Sequence, residues 1–313
     1  MARILTITLN PALDVTVSLE TLVPGSVNRS KGLNTHAAGK GLNVAQVLAD
    51  LGHSVTVSGF LGEANAQPFE ALFAARGFTD TFIRVPGETR SNIKLAEQSG
   101  RVTDLNGPGI TVGPAQQQQL LASLEQIARE HDAVIVAGSL APGISVEWFA
   151  QLLQSLVSQG LRVALDTSGA ALREGLRQPL WLVKPNEHEL AEACAIDSQA
   201  LADLQAAARA VHARGVENVL LSLGADGVCW FADNIALHAQ PPAVAVLSTV
   251  GAGDSLLGAT VHGVLSGWPP ERCLGLATAV AAQAVTQLGF GIQDREQLAR
   301  IEAGVRVTPL PNE

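Results

Sequence analysis

Residues 248–254 read Ser-Thr-Val-Gly-Ala-Gly-Asp and lie between an apolar run and a segment with helical spacing. The apolar run at 243–247 predicts a strand, and the apolar positions from Leu256 to Val264 predict one buried helical face. Both glycines therefore fall at a predicted strand-to-helix turn, where the backbone can approach a ligand closely and the first helical N–H groups have no internal partners. This turn predicts an anion site that suits a phosphoryl group.

Asp254 directly precedes the predicted helix and lies beside this predicted anion site. One interpretation is that its carboxylate accepts the proton of an attacking hydroxyl group. The alternative is an ordinary helix cap, which is the commoner role of an isolated aspartate at such a position. The paired glycines Gly251 and Gly253, together with the motifs described below, favour the catalytic interpretation.

The composition of the 313 residues fits a large α/β protein, with 47% hydrophobic residues, 16% charged residues and no long charge run. The formal net charge is −9 at pH 7. A diffusely acidic surface disfavours general nucleic-acid binding, and we expect no nucleic-acid partner. The net charge does not exclude anionic substrates, because local cations can make the electrostatic potential of a cleft positive.

Cysteine usage and hydropathy indicate a cytoplasmic protein without a membrane span. Cys194, Cys229 and Cys273 are far apart and form no CxxC pair, which disfavours a disulfide framework or a zinc site. The chain begins with a short strand-like run rather than a signal segment. No uninterrupted stretch of about 18 apolar residues occurs.

Short apolar strands alternate with longer helical patterns along most of the chain. Strands are predicted at 4–8, 55–59, 133–137, 162–166, 181–183, 219–222, 228–231 and 244–247. Helices are predicted at 42–51, 68–76, 115–130, 146–158, 187–194, 200–214, 255–266 and 271–288. The alternation predicts right-handed βαβ crossovers, a mostly parallel sheet, and ligands at the carboxyl ends of its strands.

Two segments, 15–36 and 82–106, break this rhythm and alternate polar with apolar residues. They predict strands with one exposed face that form a small antiparallel lid over the edge of the sheet. A one-sided sheet of this size leaves an apolar face bare. We expect that face to be buried against a second subunit, and the alternative is coverage by helices of the same chain.

Two segments near the amino terminus carry residues that suit a sugar or a phosphate. Asp14 follows the first strand and either accepts hydrogen bonds from sugar hydroxyls or is a turn residue after Pro11. Gly39, Lys40 and Asn43 precede a helix, and they combine an open backbone, a point charge and an amide. The alternative for this second segment is a loop with a solvated lysine.

Arg90, Asn92 and Lys94 alternate along a predicted strand and therefore project on one face. Two cations and an amide on one face indicate a phosphate clamp. The alternative is a solvated strand face, which is the commoner origin of such alternation.

Asn186 and Glu189 are three residues apart at the start of a predicted helix, so they lie on one helical face. Their oxygens can hold hydrated Mg²⁺ beside phosphates. The alternative is a capping box, in which the two side chains satisfy the first N–H groups of the helix.

The segment 222–227, Ser-Leu-Gly-Ala-Asp-Gly, joins two predicted strands. It is either a tight hairpin turn or a backbone edge that lies along a nucleotide. The usual nucleotide motifs GxxxxGK[ST] and GxGxxG are absent, so a bound nucleotide is held in another way.

These blocks, in this order, resemble the ribokinase-like (PfkB) family of carbohydrate kinases, from Thr8 to about Arg295. The segments 36–45, His-Ala-Ala-Gly-Lys-Gly-Leu-Asn-Val-Ala, and 249–255, Thr-Val-Gly-Ala-Gly-Asp-Ser, are similar to the two signatures of that family. Segments 8–14, 102–106 and 276–282 are similar to its phosphofructokinase branch. Ser248 and Ala141 depart from the wider family, in which aspartate and proline are common at these positions.

The resemblance implies a three-layer αβα fold in one kinase domain over 1–313, with a lid from about 12–37 and 82–106 that forms a homodimer. It implies ATP and Mg²⁺, and phosphoryl transfer to the C6 hydroxyl of fructose 1-phosphate, giving fructose 1,6-bisphosphate. Two alternatives stay open: a kinase of tagatose 6-phosphate or fructose 6-phosphate, and a catalytically silent sugar-phosphate sensor.

The resemblance also implies roles for individual residues. Asp254 is the base, and the N–H groups of Gly251, Ala252 and Gly253 form the anion site. The residues implied to contact the sugar phosphate are Asp14, Gly39, Lys40, Asn43, Arg90, Asn92 and Ser139. Those implied to face the nucleotide are Lys184, Asn186, Glu189, Ser222, Gly224, Gly227 and Thr249, with Asn186 and Glu189 reaching the metal through water.

Overall fold

The computed structural model describes residues 1–198 and 200–311, so Gln199 and the last two residues of the predicted 1–313 domain lie outside the described residues. The strands are β1 (Arg3–Thr8), β2 (Ala12–Leu19), β3 (Gly32–Ala38), β4 (Ser54–Gly62), β5 (Thr79–Asp80), β6 (Ile83–Val85), β7 (Ser91–Glu97), β8 (Val102–Asn106), β9 (Ala133–Ala137), β10 (Val163–Asp166), β11 (Leu182–Val183), β12 (Asn218–Ser222), β13 (Val228–Ala232), β14 (Ile235–Gln240) and β15 (Arg306–Pro309). The helices are α1 (Lys40–Asp50), α2 (Gln67–Arg76), α3 (Pro114–Ile127), α4 (Val146–Ser158), α5 (Gly169–Gly175), α6 (Glu187–Cys194), α7 (Leu201–Ala213), α8 (Ala252–Leu265), α9 (Pro270–Ala284) and α10 (Arg295–Gly304).

The main sheet has the strand order β15-β14-β13-β12-β11-β10-β9-β1-β4-β5, with β6 also paired to β4. The pairs from β12 through β9 and β1 to β5 are parallel, and β12 to β15 pair antiparallel. The parallel strands therefore end at one edge of the sheet, where ligands bind in folds of this kind. The predicted mostly parallel sheet is confirmed.

Helices cover both faces of the main sheet, because its central strands are apolar on both sides. Ile4 of β1 belongs to a buried apolar cluster that includes residues of α1, α2, α8, α9 and α10, and its neighbour Leu5 belongs to a second cluster that includes residues of α3 to α7. Phe69 and Phe149 are fully buried, one in each layer. The predicted three-layer αβα architecture is thus confirmed.

The lid is a separate four-stranded sheet in the order β3-β2-β7-β8. Its outer pairs are antiparallel, as predicted, whereas the central pair of β2 with β7 is parallel. The lid is therefore a mixed sheet. Between β3 and β7 the chain forms β4, β5 and β6 of the main sheet, and β7 then runs in the same direction as β2. Leu33 and Leu105 are more than half exposed on this sheet.

The predicted strand at 244–247 is wrong: the residues between β14 and α8 form no strand. Val246 and Leu247 are more than half exposed, and the Leu247 amide donates a hydrogen bond to the Val285 carbonyl instead of joining the sheet. The strand nearest in sequence is β14, which pairs with β13 and β15. A local apolar run therefore serves here as the wall of a cleft and not as a strand.

Helix α8 begins at Ala252, three residues before its predicted start, and its cap residue is Gly251. Asp254 therefore lies inside the first turn and makes no capping hydrogen bond, so the alternative that it caps the helix is wrong. Helix α9 ends at Ala284, short of the predicted 288. Within residues 1–198 and 200–311, we find no helix that is both long and apolar enough to cross a membrane.

Candidate active site

A cleft of about 1010 Å³ opens where the parallel strands end, between the main sheet and the lid. Asp14 and Asn92 from the lid line one side, and Gly138 and Asp166 line it from the ends of β9 and β10. The walls of this cleft include every residue predicted for the site except Lys94: Asp14, Gly39, Lys40, Asn43, Arg90, Asn92, Ser139, Lys184, Asn186, Glu189, Ser222, Gly224, Gly227, Thr249, Gly251, Ala252, Gly253 and Asp254.

The predicted anion site corresponds to the first turn of α8. Gly251 has φ +83°, in the left-handed region, and a Cβ there would lie 2.9 Å from the Phe290 ring. A Cβ at Gly253 would lie 3.0 Å from Lys184 Nζ. The backbone of Gly251 therefore requires glycine, whereas a Cβ at Gly253 would only crowd Lys184. The turn presents helical N–H groups that have no partner within the helix, and it does so beside a buried cation.

Asp254 lies at the inner end of the cleft and is 6% exposed. Asn43 Nδ2 donates a hydrogen bond of 2.7 Å to its Oδ2 atom. Burial, and next the charge of Asp166, raise the pKa of Asp254 from 3.8 to about 6, while Lys40 and the Asn43 hydrogen bond oppose the shift. A carboxylate that titrates near neutral pH suits a proton acceptor.

Asp166, at the end of β10, is a central residue of the site that the sequence analysis missed. Lys40 Nζ lies 2.8 Å from its Oδ1 atom, and Lys184 Nζ lies 3.1 Å from Oδ2. Burial alone would raise the pKa of Asp166, but the two lysines outweigh it and hold the pKa below its ordinary value. Asp166 is therefore a charged anchor for two cations.

Lys40, the first residue of α1, lies among carboxylates. Besides Asp166, its Nζ is 4.0 Å from Glu189 Oε1. Burial alone would lower the pKa of Lys40, but Asp166 and then Asp254 raise it above its ordinary value, so the amine stays charged. The structure thus pairs this lysine with Asp166 and Glu189, whereas the sequence analysis grouped it with Arg90 as a sugar-phosphate contact.

The lid contributes an amide and carboxylate pair to the other side of the cleft. Asp14 of β2 lies opposite Asn92 of β7, and Asn92 Nδ2 donates a hydrogen bond of 3.2 Å to Asp14 Oδ1. Burial raises the pKa of Asp14, and the Asn92 hydrogen bond and the charge of Lys94 oppose the rise. These groups can bind sugar hydroxyls as donors and acceptors.

Arg90 joins the lid to the main sheet. Its guanidinium donates hydrogen bonds to the carbonyl oxygens of Asn10 and Gly107, both at 3.0 Å, and one of 3.5 Å to Ser139 Oγ. Of the predicted phosphate clamp, Arg90 and Asn92 line the cleft, whereas Lys94 does not. Two of the three residues predicted for the clamp therefore face the cleft.

The part of the cleft that the sequence analysis assigned to a nucleotide combines tight turns with an apolar wall. The segment 222–227 is the hairpin turn between β12 and β13, and it also lines the cleft. A Cβ at Gly227 would lie 1.9 Å from the Ala239 carbonyl oxygen, so this backbone approach requires glycine. The apolar wall consists of Pro241, Pro242, Ala243, Val244, Val246, Leu256, Ala281, Ala282 and Val285.

Asn186 and Glu189 form the capping box that the sequence analysis kept as an alternative. Asn186 Oδ1 accepts a hydrogen bond of 2.8 Å from the Glu189 amide, and Glu189 Oε2 accepts one of 2.9 Å from the Asn186 amide. The box leaves Glu189 Oε1 directed toward Lys40 in the cleft. Among the described residues, no group of three or more His, Cys, Asp or Glu side chains could hold a metal ion.

The chain matches the pfkB family carbohydrate kinase family over residues 7–296, which is most of its length. It belongs to this family. Its members are kinases, so the enzyme is a phosphotransferase, and ATP use follows from that family membership.

Curated relatives within the family match nearly the full chain. The 1-phosphofructokinase of Vibrio cholerae is 46% identical over 98% of this chain and 97% of its own length. That of Escherichia coli K12 is 44% identical over 98% of both. Solved structures of Escherichia coli phosphofructokinase-2, one with fructose-6-phosphate and one a tetrameric inhibited form, have a TM-score of 0.88 at 28% identity, covering 97% of this chain and 99% of theirs.

The residues that the sequence analysis missed in this pfkB kinase include Asn10, Asp166 and Thr278, all of which line the cleft. Asp166 carried a signal, because a charged residue at the carboxyl end of a buried strand faces the ligand edge of a parallel sheet. Asn10 follows β1 in the same way. Thr278 carried no such signal in the sequence, because a threonine in a buried helix is most often a packing residue.

Proposed function

We propose that this enzyme transfers the γ-phosphoryl group of ATP to the C6 hydroxyl of fructose 1-phosphate and forms fructose 1,6-bisphosphate. The observation that carries the proposal is the placement of Asp254: a carboxylate with pKa about 6 lies next to the anion site at the start of α8. The relatives with 40–46% identity, which are named 1-phosphofructokinases, support this acceptor.

The lid side of the cleft is proposed to hold the sugar phosphate. Asp14 and Asn92 offer donors and acceptors for ring hydroxyls, and Arg90 with Ser139 offers donors for the 1-phosphate. Because Arg90 is already fixed by two carbonyl oxygens, it binds an anion without much further loss of side-chain freedom. Such positioning is a large part of catalysis in phosphoryl transfer.

At the reacting centre, Asp254 accepts the proton of the attacking hydroxyl group. The N–H groups at Gly251, Ala252 and Gly253 stabilise charge that develops on the equatorial phosphoryl oxygens, and Lys40 adds a nearby positive charge. Removal of one donor from such a site typically costs about 10²–10³ in rate. The main sheet fixes all these groups at the ends of its strands, so little reorganisation is needed during the step.

The nucleotide side is proposed to bind ATP between the 222–227 turn and the apolar wall, with Lys184, Ser222, Gly224, Gly227 and Thr249 facing it. Mg²⁺ fits the residues present, because Glu189 keeps one carboxylate oxygen outside the capping box and the ion usually binds through one or two carboxylates, waters and phosphates. Asn186 and Glu189 would hold it through water. When bound, the ion neutralises charge on the phosphate oxygens.

We further propose that residues 1–313 work as one kinase domain with the lid over its cleft. The exposed apolar residues of the lid, among them Leu33, Val102 and Leu105, support its pairing with a second copy as a homodimer. A cytoplasmic location is supported by the use of ATP and by three free cysteines.

A coupled assay of ADP formation tests the function with fructose 1-phosphate, fructose 6-phosphate and tagatose 6-phosphate. We expect the highest kcat/KM with fructose 1-phosphate, and a product that aldolase cleaves as fructose 1,6-bisphosphate. Preference for either 6-phosphate would identify the alternative kinases. Tight sugar-phosphate binding without ADP formation from any of the three would contradict an enzymatic role and indicate a sensor.

A further inference from the structure

Asn43 connects the two signature segments of the chain through one hydrogen bond. It lies in the first turn of α1, where its amide N–H donates 2.8 Å to the Gly39 carbonyl, and it is 5% exposed. Its side-chain Nδ2 reaches across to α8 and donates 2.7 Å to Asp254 Oδ2. A rigid helix start therefore holds one oxygen of the carboxylate.

The orientation of the Asn43 amide follows from its surroundings. Its Oδ1 atom is buried and has no hydrogen-bond partner among the described residues. Rotating the amide by 180° would set this oxygen against Asp254 Oδ2 and bring two negative atoms together. The ionised carboxylate thus fixes the amide, and the amide fixes the carboxylate.

We propose that Asn43 is a positioning residue for the base: it holds Asp254 Oδ2, so that Oδ1 is the oxygen that takes the proton from the sugar hydroxyl. The proposal rests on the proposed function of Asp254 as base. It differs from the role of a sugar contact, which the sequence analysis gave to Asn43, because the amide acts through Asp254 rather than on the substrate.

The charged groups that face Asp254 are Asp166 from the end of β10, Lys40 from α1 and Lys184 from the segment after β11. Burial and Asp166 raise the pKa of Asp254, whereas Lys40, the Asn43 hydrogen bond and Lys184 lower it. Loss of the Asn43 amide therefore raises this pKa further. That change gives the role a signature that a sugar contact would not produce.

The test compares Asn43→Ser with Asn92→Ser, because Asn92 forms the matching amide and carboxylate pair with Asp14 and does not touch the base. Kinetics use whichever of the three sugar phosphates the wild-type enzyme turns over fastest. We expect Asn43→Ser to lower kcat about 10- to 100-fold, as for a lost hydrogen bond to a charged group, with a smaller change in sugar KM. We expect Asn92→Ser mainly to raise sugar KM.

The pH dependence of kcat is the second readout. We expect its acid limb to move to higher pH in Asn43→Ser and to stay in place in Asn92→Ser. Values of kcat are compared rather than kcat/KM, because the free sugar phosphate itself titrates near pH 6. An unchanged kcat and acid limb with a raised sugar KM would overturn the proposal and leave Asn43 as a substrate contact.

A third readout does not depend on turnover. The carboxyl ¹³C resonance of Asp254, assigned by its loss in Asp254→Asn, is titrated in the wild-type enzyme and in Asn43→Ser, and an unchanged midpoint contradicts the proposal. This titration applies even if the wild-type enzyme phosphorylates none of the sugars, so the two proposals fail separately. If the serine variant does not fold, the isosteric Asn43→Asp replaces it, with a larger upward shift expected and an unmoved midpoint again contradictory.

Discussion

Asp166 and Asp254 are buried carboxylates of one cleft, and their surroundings are opposite. Asp166 lies 2.8 Å from Lys40 and 3.1 Å from Lys184, whereas Asp254 has the neutral amide of Asn43 at 2.7 Å. Burial raises both pKa values. The two lysines reverse that rise at Asp166, while the charge of Asp166 adds to it at Asp254.

The comparison shows that burial alone does not make a carboxylate a base. With two cations in contact, Asp166 stays ionised and fixes the positions of the lysines, a structural role. With a neutral partner, Asp254 titrates near neutral pH, where a proton acceptor is most effective. On the proposed function, one aspartate therefore holds the charges in place and the other moves the proton.

The largest expected effect is a loss of turnover when Asp254 is replaced. Asp254→Asn should lower kcat by at least ~100-fold with a modest change in KM, because it removes the general base and keeps the shape of the site. Steady-state kinetics with fructose 1-phosphate and ATP measure this. Asp14→Asn is the control, and it should act mainly on sugar KM. Near-normal turnover of Asp254→Asn would remove Asp254 from its role.

The next largest effect is a loss of stability when Asp166 is replaced. Asp166→Asn should lower the free energy of unfolding by about 3 kcal/mol, because it leaves Lys184, which is 4% exposed, as a buried charge without its partner. Urea unfolding without ligand measures the change. Asp104→Asn on the exposed face of the lid should change stability by less than about 0.5 kcal/mol. Equal stability of the two variants would mean that the lysines need no anchor.

The position of Asp254 in the site could be predicted from the sequence, whereas the role of Asp166 could not. The glycines before Asp254 and the helical spacing after it are local signals, and they predict a carboxylate at a helix start. The role of Asp166 depends on contacts with Lys40, 126 residues away, and with Lys184. Those contacts arise only from the strand order that sets β10 between β9 and β11.

The same limit applies to the lid and to the segment before α8. Alternation of polar and apolar residues identified the lid strands, but it carries no information on whether β2 and β7 run parallel. The apolar run at 243–247 has the pattern of a strand, but Leu247 donates its amide hydrogen bond to the carbonyl of Val285, the residue after α9. Partners that are distant in sequence decide both cases.

A smaller effect concerns the cost of keeping the base buried. The pKa of Asp254 is about 6 in the folded protein and 3.8 ordinarily, so the unfolded chain ionises first as pH rises. The contribution of this group to stability is full below pH 3.8 and is lost as pH rises to about 6. The Asp254→Asn variant has no carboxylate here and does not lose stability in this way. Its free energy of unfolding relative to that of wild type should therefore rise by on the order of 2 kcal/mol between pH 4 and pH 8.

Chemical unfolding of both proteins at a series of pH values measures this difference. Asp166→Asn provides the contrast, because the pKa of Asp166 lies below its ordinary value and its contribution to stability is present throughout that pH range. A relative stability of Asp254→Asn that is flat between pH 4 and pH 8 would show that the pKa of Asp254 is not raised in the folded protein.

The smallest effect tests whether the charges around Asp166 tune the base. Asp166→Asn removes a negative neighbour of Asp254 and should lower its pKa, which moves the acid limb of kcat to lower pH. Lys40→Met removes a positive neighbour and should move the limb to higher pH, whatever it does to the rate. Each shift should be about one pH unit or less, as for single charges at an effective dielectric near 20.

Opposite directions in the two variants are the decisive result, because a general loss of structure would move both limbs the same way. Asp104→Asn on the lid is the control, and its limb should not move. Shifts in the same direction would mean that the acid limb reports another group, such as the second ionisation of the bound sugar phosphate. The anchor and the base would then be independent, and Asp166 would act on catalysis only through the positions of Lys40 and Lys184.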